Sequence, residues 1–184
     1  MKRVESVAYH EAGHALVHYF LYSNRQRLIS LTLRKGTTVE VCDLQTRKTL
    51  KTTRQPLSGW CETEWLLGLP PVTTKAEALE WAEVDVAYSV AGYVAEHLIW
   101  PEGTLRDTPG FEGDWVSVRE FVRWLRKRGV KVGFGTVLRG RRRAGRVLAE
   151  HRRELEALAG ALCKRRTLTG EEVVAIIEAH RAVA

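Results

Sequence analysis

The chain has 184 residues, of which 45% are hydrophobic and 28% are charged, so it can build a core and is not a disordered protein. Its apolar runs are shorter than the about 20 residues that cross a bilayer, and histidines interrupt any signal-peptide core near the N-terminus. The formal net charge is +7, but the basic runs 127–129 and 139–146 contain no aromatic residues, so nucleic acid is not an expected partner. We therefore expect one cytoplasmic domain over residues 1–184, without a membrane span.

The first predicted elements are a helix and a β-hairpin. Residues 4–22 contain few helix breakers and predict a helix. Residues 28–33 and 38–44 alternate apolar with polar side chains, which is the period of a half-buried strand. Lys35-Gly36 predicts the turn of a hairpin between them. Residues 45–72 show no such period and are predicted to be irregular.

In the second half of the chain, the sequence pattern predicts helices that are separated by breaks containing glycine or proline. These helices cover residues 74–100, 114–128, about 141–164, and the segment after 169. Thr74 with Glu77, and Thr169 with Glu172, can form capping boxes at the starts of the first and the last. The sequence therefore predicts a mainly α fold with a small β-hairpin or sheet (α+β), containing four to six helices.

The segment VAYHEAGHALV carries the most specific chemistry in the chain. His10 and His14 are four residues apart, so they share one face of the helix and can bind one metal ion. Glu11 follows the first histidine and can reach a water molecule at that metal. This HExxH pattern is typical of zinc hydrolases, in which the glutamate is the general base. We therefore predict Zn²⁺ as the cofactor, with His10 and His14 as ligands and Glu11 as the catalytic residue.

A catalytic zinc site needs a third protein ligand, and its identity stays open at this point. Phe20 stands where the metzincin pattern requires a third histidine, which excludes that class. His18 lies one further helical turn along, and a turn of about 5.4 Å places it too far away to close round the same ion. The remaining candidates are the carboxylates of Glu83, Asp85, Glu96, Asp107 and Asp114.

Several segments resemble the zinc-protease domain of the FtsH family, the membrane-anchored AAA+ proteases. In chain order, the resemblance is carried by VAYHEAGHALV, SVAGYVAEHLIW, PGFEGDWVSVREFV and VLAEHRRELEALAGALCKRRTLTGEEV. It implies a helical zinc-peptidase domain in which Asp114 is the third ligand and Glu96 orients a ligand histidine. It also implies an edge strand that holds extended substrate by strand addition. The residues of this strand are Leu28, Ile29, Ser30, Leu31, Thr32 and Leu33.

The chain departs from that family in two respects. It contains no GxxxxGK[ST] motif, so we expect no ATPase module and no ATP-driven unfolding of substrates. Residues 34–72 replace a short glycine-containing segment of the family and are expected to form a divergent hairpin or loop insertion.

These features predict a zinc metalloendopeptidase that cleaves peptides or unfolded protein segments, with Glu11 as the general base. It would act alone, after self-association, or with a separate ATPase that delivers chains to it. The alternative is a catalytically silent zinc-binding scaffold, or a protein-interaction module derived from a protease domain.

Overall fold

Seven helices and three strands make up the part of the chain that this computed structural model describes, residues 3–22, 26–42, 49–65, 74–102 and 111–181. The elements are α1 (Arg3–Tyr22), β1 (Gln26–Cys42), β2 (Thr49–Trp65), α2 (Lys75–Ser89), α3 (Ala91–Ile99), α4 (Phe111–Lys127), α5 (Phe134–Glu150), α6 (Arg152–Arg165), β3 (Thr167–Thr169) and α7 (Gly170–Arg181). The predicted class, mainly α with a small sheet, is confirmed. Within these ranges no helix is both long enough and apolar enough to cross a bilayer.

Two of the predicted helices are each broken once, which raises the helix count above the expected four to six. The segment predicted over 74–100 divides at Val90, and the one predicted over 141–164 begins at Phe134 and divides at His151. Neither break is at a glycine or proline, so no breaker residue marked it. After each break the following helix packs against α1, and this tertiary packing outweighs the local preference for one continuous helix.

Both predicted capping boxes are confirmed. At the start of α2, the Glu77 N–H donates to Thr74 Oγ1 (3.1 Å) and the Thr74 N–H donates to the Glu77 carboxylate (2.9 Å). At the start of α7, Glu172 and Thr169 make the same reciprocal pair, at 3.2 and 2.8 Å. Each box satisfies two N–H groups that a helix start leaves without a partner.

The sheet is antiparallel, with strand order β2-β1-β3. β1 pairs with β2 from Gln26↔Trp65 to Cys42↔Thr49, so the predicted turn at Lys35-Gly36 is wrong. The two alternating segments belong to one strand, and its partner comes from the region predicted to be irregular. β2 lacks an apolar alternation, because much of it is threonine and charged residues, and this hid it from a search for periodicity. Residues 43–48 and 66–73 lie outside the described part.

The predicted edge-strand position is wrong for Ser30, Leu31 and Thr32, the middle of the segment Leu28–Leu33. Ser30, Leu31 and Thr32 pair with β2 on one side and with β3 on the other, so they have no free edge for an added strand. Leu31 is fully buried in the core. The error arose because β3 comes from the far end of the chain, and a pairing across well over a hundred residues leaves no local signal. The outer strand that contacts α1 is β2.

Close packing of α1 against α3 positions the histidine helix. A Cβ atom on Gly13 would lie 2.6 Å from Ala95 Cβ and 2.7 Å from the Ala91 carbonyl oxygen, nearer than real Cβ atoms approach. The small side chains on both helices therefore allow their backbones to come together. As a result, the carboxylate of Glu96, the next residue on α3, reaches α1.

A second buried polar group lies between α1 and α2. Tyr22 is 1% exposed, and its hydroxyl donates to the Asp85 carboxylate at 3.3 Å. Burial raises the pKa of Asp85 to about 7, because charge is costly to bury and one hydrogen bond offsets only part of that cost. The folded protein therefore holds this proton more tightly than the unfolded chain does.

Asp85→Asn is expected to change the pH dependence of stability. With a folded pKa near 7 and an ordinary value of 3.8, Asp85 favours folding most at low pH, and the wild type loses up to about 4 kcal/mol as the pH rises from 4 to 8. The asparagine variant lacks this loss, so its stability relative to wild type should increase over that range. Urea unfolding at several pH values measures the difference. The exposed Glu80→Gln on the same helix is the control, and a pH-independent difference for Asp85→Asn would contradict the expectation.

Candidate metal centre

Three side chains from α1 and α4 converge on one point. His10 Nε2 lies 3.2 Å from His14 Nε2. Asp114 Oδ2 lies 3.4 Å from His10 Nε2, and Asp114 Oδ1 lies 3.5 Å from His14 Nε2. The three donor atoms all lie within 4.8 Å of one another. The two histidines are buried, and 15% of the Asp114 side chain is exposed. This group can hold a metal ion.

Hydrogen bonds on the far side of each ring determine which nitrogens face this point. His10 Nδ1 lies 2.7 Å from a Glu96 oxygen, and His14 Nδ1 lies 2.8 Å from the Tyr88 carbonyl oxygen. Both partners accept only, so each Nδ1 carries a proton and each ring turns its Nε2 toward the other histidine and Asp114. Asp114 Oδ2 is buried without a hydrogen-bond partner. Two imidazole nitrogens and a carboxylate therefore meet at one point, an arrangement that a bound cation would stabilise.

Negative charge around the histidines also favours a cation. Burial lowers the pKa of His10, but Asp114 and Glu96 outweigh it and raise that pKa well above its ordinary value. For Asp114, burial acts to raise the pKa, and His10 and His14 reverse the effect and bring it below its usual range. Three carboxylates, those of Glu11, Glu96 and Asp114, thus surround two imidazoles, and a bound cation would compensate their charge.

Asp114 differs from its predicted local setting. The sequence predicted that it would open a helix, but α4 begins at Phe111, so Asp114 lies within the first turn instead of at its N-terminal boundary. On the first turn its side chain is carried by regular helical backbone, which holds it more rigidly than a loop would.

Glu96 and Ser6 form a support for His10. Glu96, 3% exposed, accepts a hydrogen bond from His10 through one oxygen, and the Ser6 hydroxyl donates to its other oxygen. The structure therefore places Glu96 against the Nδ1 atom of His10, on the side of the ring away from Asp114. Ser6 and the Tyr88 carbonyl were missed, because nothing in the local sequence indicates which backbone or hydroxyl groups a folded histidine will meet.

Two glycines pack directly on the histidine motif. A Cβ on Gly92 would lie 2.4 Å from His10 Nε2, and a Cβ on Gly59 would lie 2.0 Å from Glu11 Cγ. No side chain other than hydrogen fits at either position without a shift of the motif. Both glycines can be seen in the sequence, but the sequence does not reveal which residue either glycine packs against.

Glu11 lies beside the three donor atoms and is not one of them. It is 7% exposed, and β2 runs against its side chain at Gly59. Burial raises the pKa of Glu11, although His10 and His14 offset part of this effect. A carboxylate with such a pKa binds a proton more readily than an exposed one.

The other candidate ligands lie away from the cluster or outside the described residues. Glu83 pairs with Arg139, and Asp85 accepts from Tyr22. His18 is buried against Tyr22 and Tyr88, one turn beyond the site, and burial lowers its pKa to about 4. Asp107 lies outside the described residues. Of the open set, Glu96 contacts His10 at Nδ1, and within the described part only Asp114 lies beside the Nε2 atoms of both histidines.

Comparisons with protein-family models and with characterised proteins give no match for this chain.

Proposed function

We propose that this chain is a zinc-dependent metalloendopeptidase. The observation that carries the proposal is the convergence of the two Nε2 atoms of His10 and His14 with the Asp114 carboxylate, one oxygen of which has no hydrogen-bond partner, and with a second carboxylate beside them. Two nitrogens and one oxygen are one of the donor sets found in catalytic zinc sites, which use three protein ligands and keep one position open. The resemblance to the FtsH protease domain supports the same activity.

In this mechanism each residue has a separate task. His10, His14 and Asp114 hold the ion, while Glu96 and the Tyr88 carbonyl keep the rings oriented. Zn²⁺, when bound, would supply Lewis acidity to the carbonyl group of the peptide bond that is cleaved. Glu11 takes a proton from the attacking water at its carboxylate and passes it to the nitrogen of the departing amine. Its burial favours the proton uptake that this shuttle requires.

The substrate strand is proposed to lie along β2 instead of along residues 28–33. β2 is an outer strand of the sheet among the described elements, and at Gly59 it lies beside Glu11. An extended peptide that adds to the outer edge of β2 near Gly59 would bring its backbone to the metal centre. The substrates would be peptides or unfolded protein segments, and a separate ATPase or self-association would decide how they are delivered.

One observation favours the alternative of a catalytically silent zinc-binding scaffold. Glu11 is 7% exposed, and β2 lies against it, so a substrate must gain access to a covered carboxylate. A scaffold would keep the metal ligands and would have no need for this access.

Cleavage of an unfolded protein distinguishes the two functions. Zinc-loaded wild type should cleave it, and Glu11→Gln should lose about 10²–10⁴-fold in kcat while it retains the same zinc content. The exposed Glu80→Gln, which removes the same charge, should cleave like wild type. If wild type and Glu11→Gln both bind zinc and neither cleaves, the isolated chain is not an active peptidase, and either the scaffold is correct or a separate ATPase is required. If both cleave equally, Glu11 is not the base.

A further inference from the structure

The positive charge of the chain is concentrated in one segment, residues 121–149. Ten of the 29 lysines and arginines lie there, whereas all 22 aspartates and glutamates lie elsewhere. The formal net charge of +7 therefore comes from this segment, and the remaining residues together are net negative. The segment comprises the end of α4, the connection 128–133 and nearly all of α5. Such a separation of charge gives one region of the protein a strong attraction for an anionic partner.

Arginines occupy the outer side of α5. The buried residues of this helix recur every four positions, at Thr136, Gly140, Ala144 and Leu148. Arg142 and Arg146 are also four residues apart, are exposed, and fall on the opposite side of the helix. Arg139 pairs with Glu83, but no carboxylate of the described residues pairs with Arg142 or Arg146. Their charges are therefore available to a partner.

Phe134 lies at the N-terminal end of this basic helix, and 81% of it is exposed. The backbone on both sides of Phe134 is anchored. Val132 is buried beside Leu125, its carbonyl oxygen accepts from the Arg126 guanidinium at 2.8 and 3.0 Å, and Thr136 is buried on the other side. The phenyl ring is thus held in solvent by fixed neighbours on either side.

The apolar ring and the basic residues belong to one surface. Lys131 is exposed three residues before Phe134. Arg142 and Arg146 follow it by eight and twelve residues, or about 12 and 18 Å along the helix. We call Lys131, Phe134, Arg142 and Arg146 the α5 face. Single exposed apolar residues are common on protein surfaces, but a basic helix with an aromatic residue at its end is typical of helices that lie on a membrane surface.

Anionic lipid fits the α5 face better than nucleic acid does. Proteins that bind single strands stack successive bases on several aromatic side chains along a groove. Within residues 121–149, all of which the structure describes, Phe134 is the one exposed aromatic residue. The ring of Trp124 is covered by the Arg128 guanidinium, 3.9 Å from its centroid. One ring can enter the boundary between headgroups and acyl chains, while the arginines attract the headgroups.

We propose that the α5 face binds the surface of an anionic lipid bilayer, with Phe134 inserted at the headgroup boundary. The association is peripheral and needs no helix that crosses the bilayer. It goes beyond the proposed peptidase function, because α5 contributes no donor atom to the group formed by His10, His14 and Asp114. It would bring the protein to membrane-bound partners or substrates.

Flotation of the whole chain with lipid vesicles tests the proposal. The vesicles are made of phosphatidylcholine, with or without phosphatidylserine. Binding to the vesicles with phosphatidylserine should be at least about tenfold stronger, because each basic residue near an anionic surface adds to the attraction. High salt should weaken this binding, since it screens the charges.

Two variants with matched controls test the location. Arg142→Gln with Arg146→Gln should weaken binding about 25-fold, whereas Arg153→Gln with Lys164→Gln, which removes the same charge from exposed positions of α6, should bind like wild type. Phe134→Ala should weaken binding about tenfold through the lost apolar contact. Its control is Val174→Ala, at another exposed apolar residue, on α7. Circular dichroism would compare the folds.

The other outcomes overturn the proposal. Equal binding to both kinds of vesicle, or equal losses in the variants and their controls, would show that the α5 face has no special role. Binding that depends on the arginines but not on Phe134 would reflect charge alone and would exclude insertion of the ring. Tighter binding of a single-stranded oligonucleotide than of vesicles, lost in both α5 variants, would make this surface a nucleic-acid site.

Discussion

Replacing Asp114 with alanine is expected to reduce zinc affinity by more than the about 10–100-fold that loss of an outer hydrogen-bond partner costs. The two Asp114 oxygens lie within 3.5 Å of the histidine nitrogens and come from a different helix. Without them only His10 and His14 remain, both on α1, and two ligands do not make a catalytic zinc site. Competition for Zn²⁺ against a chromophoric chelator measures the loss.

The matched control for this experiment is Glu80→Ala, which removes an exposed carboxylate from α2. It changes the net charge equally and should leave zinc affinity unaltered. If Asp114→Ala binds zinc as tightly as Glu80→Ala does, the third ligand is another residue and the assignment of Asp114 is wrong. Asp114→Asn adds a finer test, because its amide oxygen is a weaker metal ligand and should bind zinc with intermediate affinity.

Gly92→Ala should reduce zinc affinity at least about 100-fold although it adds only one methyl group. That methyl would lie 2.4 Å from His10 Nε2 and 2.5 Å from His10 Cδ2, so the ring or the helix must move. The ring cannot turn freely, because its Nδ1 is held by Glu96 at 2.7 Å. Overpacking of this kind costs about 1–3 kcal/mol of stability, against a helix-propensity gain of about 1 kcal/mol for alanine over glycine.

Gly160→Ala on α6 is the matched control, since nothing lies within 4 Å of the Cβ that it would add. It should raise stability by about 0.5–1 kcal/mol through helix propensity alone and leave zinc affinity unchanged. Chelator competition and urea unfolding on both variants separate the two effects. Zinc affinity of Gly92→Ala equal to that of Gly160→Ala would show that His10 tolerates the methyl group, contrary to the expectation.

Local signals predicted α1 and both capping boxes correctly, and long-range pairing accounts for the errors in the sheet. A capping box depends on residues three apart, so the sequence contains all of it. The pairing of residues 30–32 with Thr167–Thr169 has no such local source. The alternation of apolar and polar residues in β1 therefore did not reveal that β1 is the central strand. A central strand and an edge strand show the same alternation when each has one buried face.

The sequence by itself determined that His10, Glu11 and His14 occupy adjacent positions on one helix, because the 3.6-residue period depends only on backbone geometry. It did not determine the third donor, since Glu83, Asp85, Glu96, Asp107 and Asp114 have the same chemistry. Packing of α3 against α1 decided that Glu96 lies behind His10, and packing of α4 against α2 and β1 decided that Asp114 lies beside both histidines. Packing of β2 likewise placed Gly59 against Glu11. Such contacts between distant residues form only when apolar faces are buried together, so they belong to the tertiary structure.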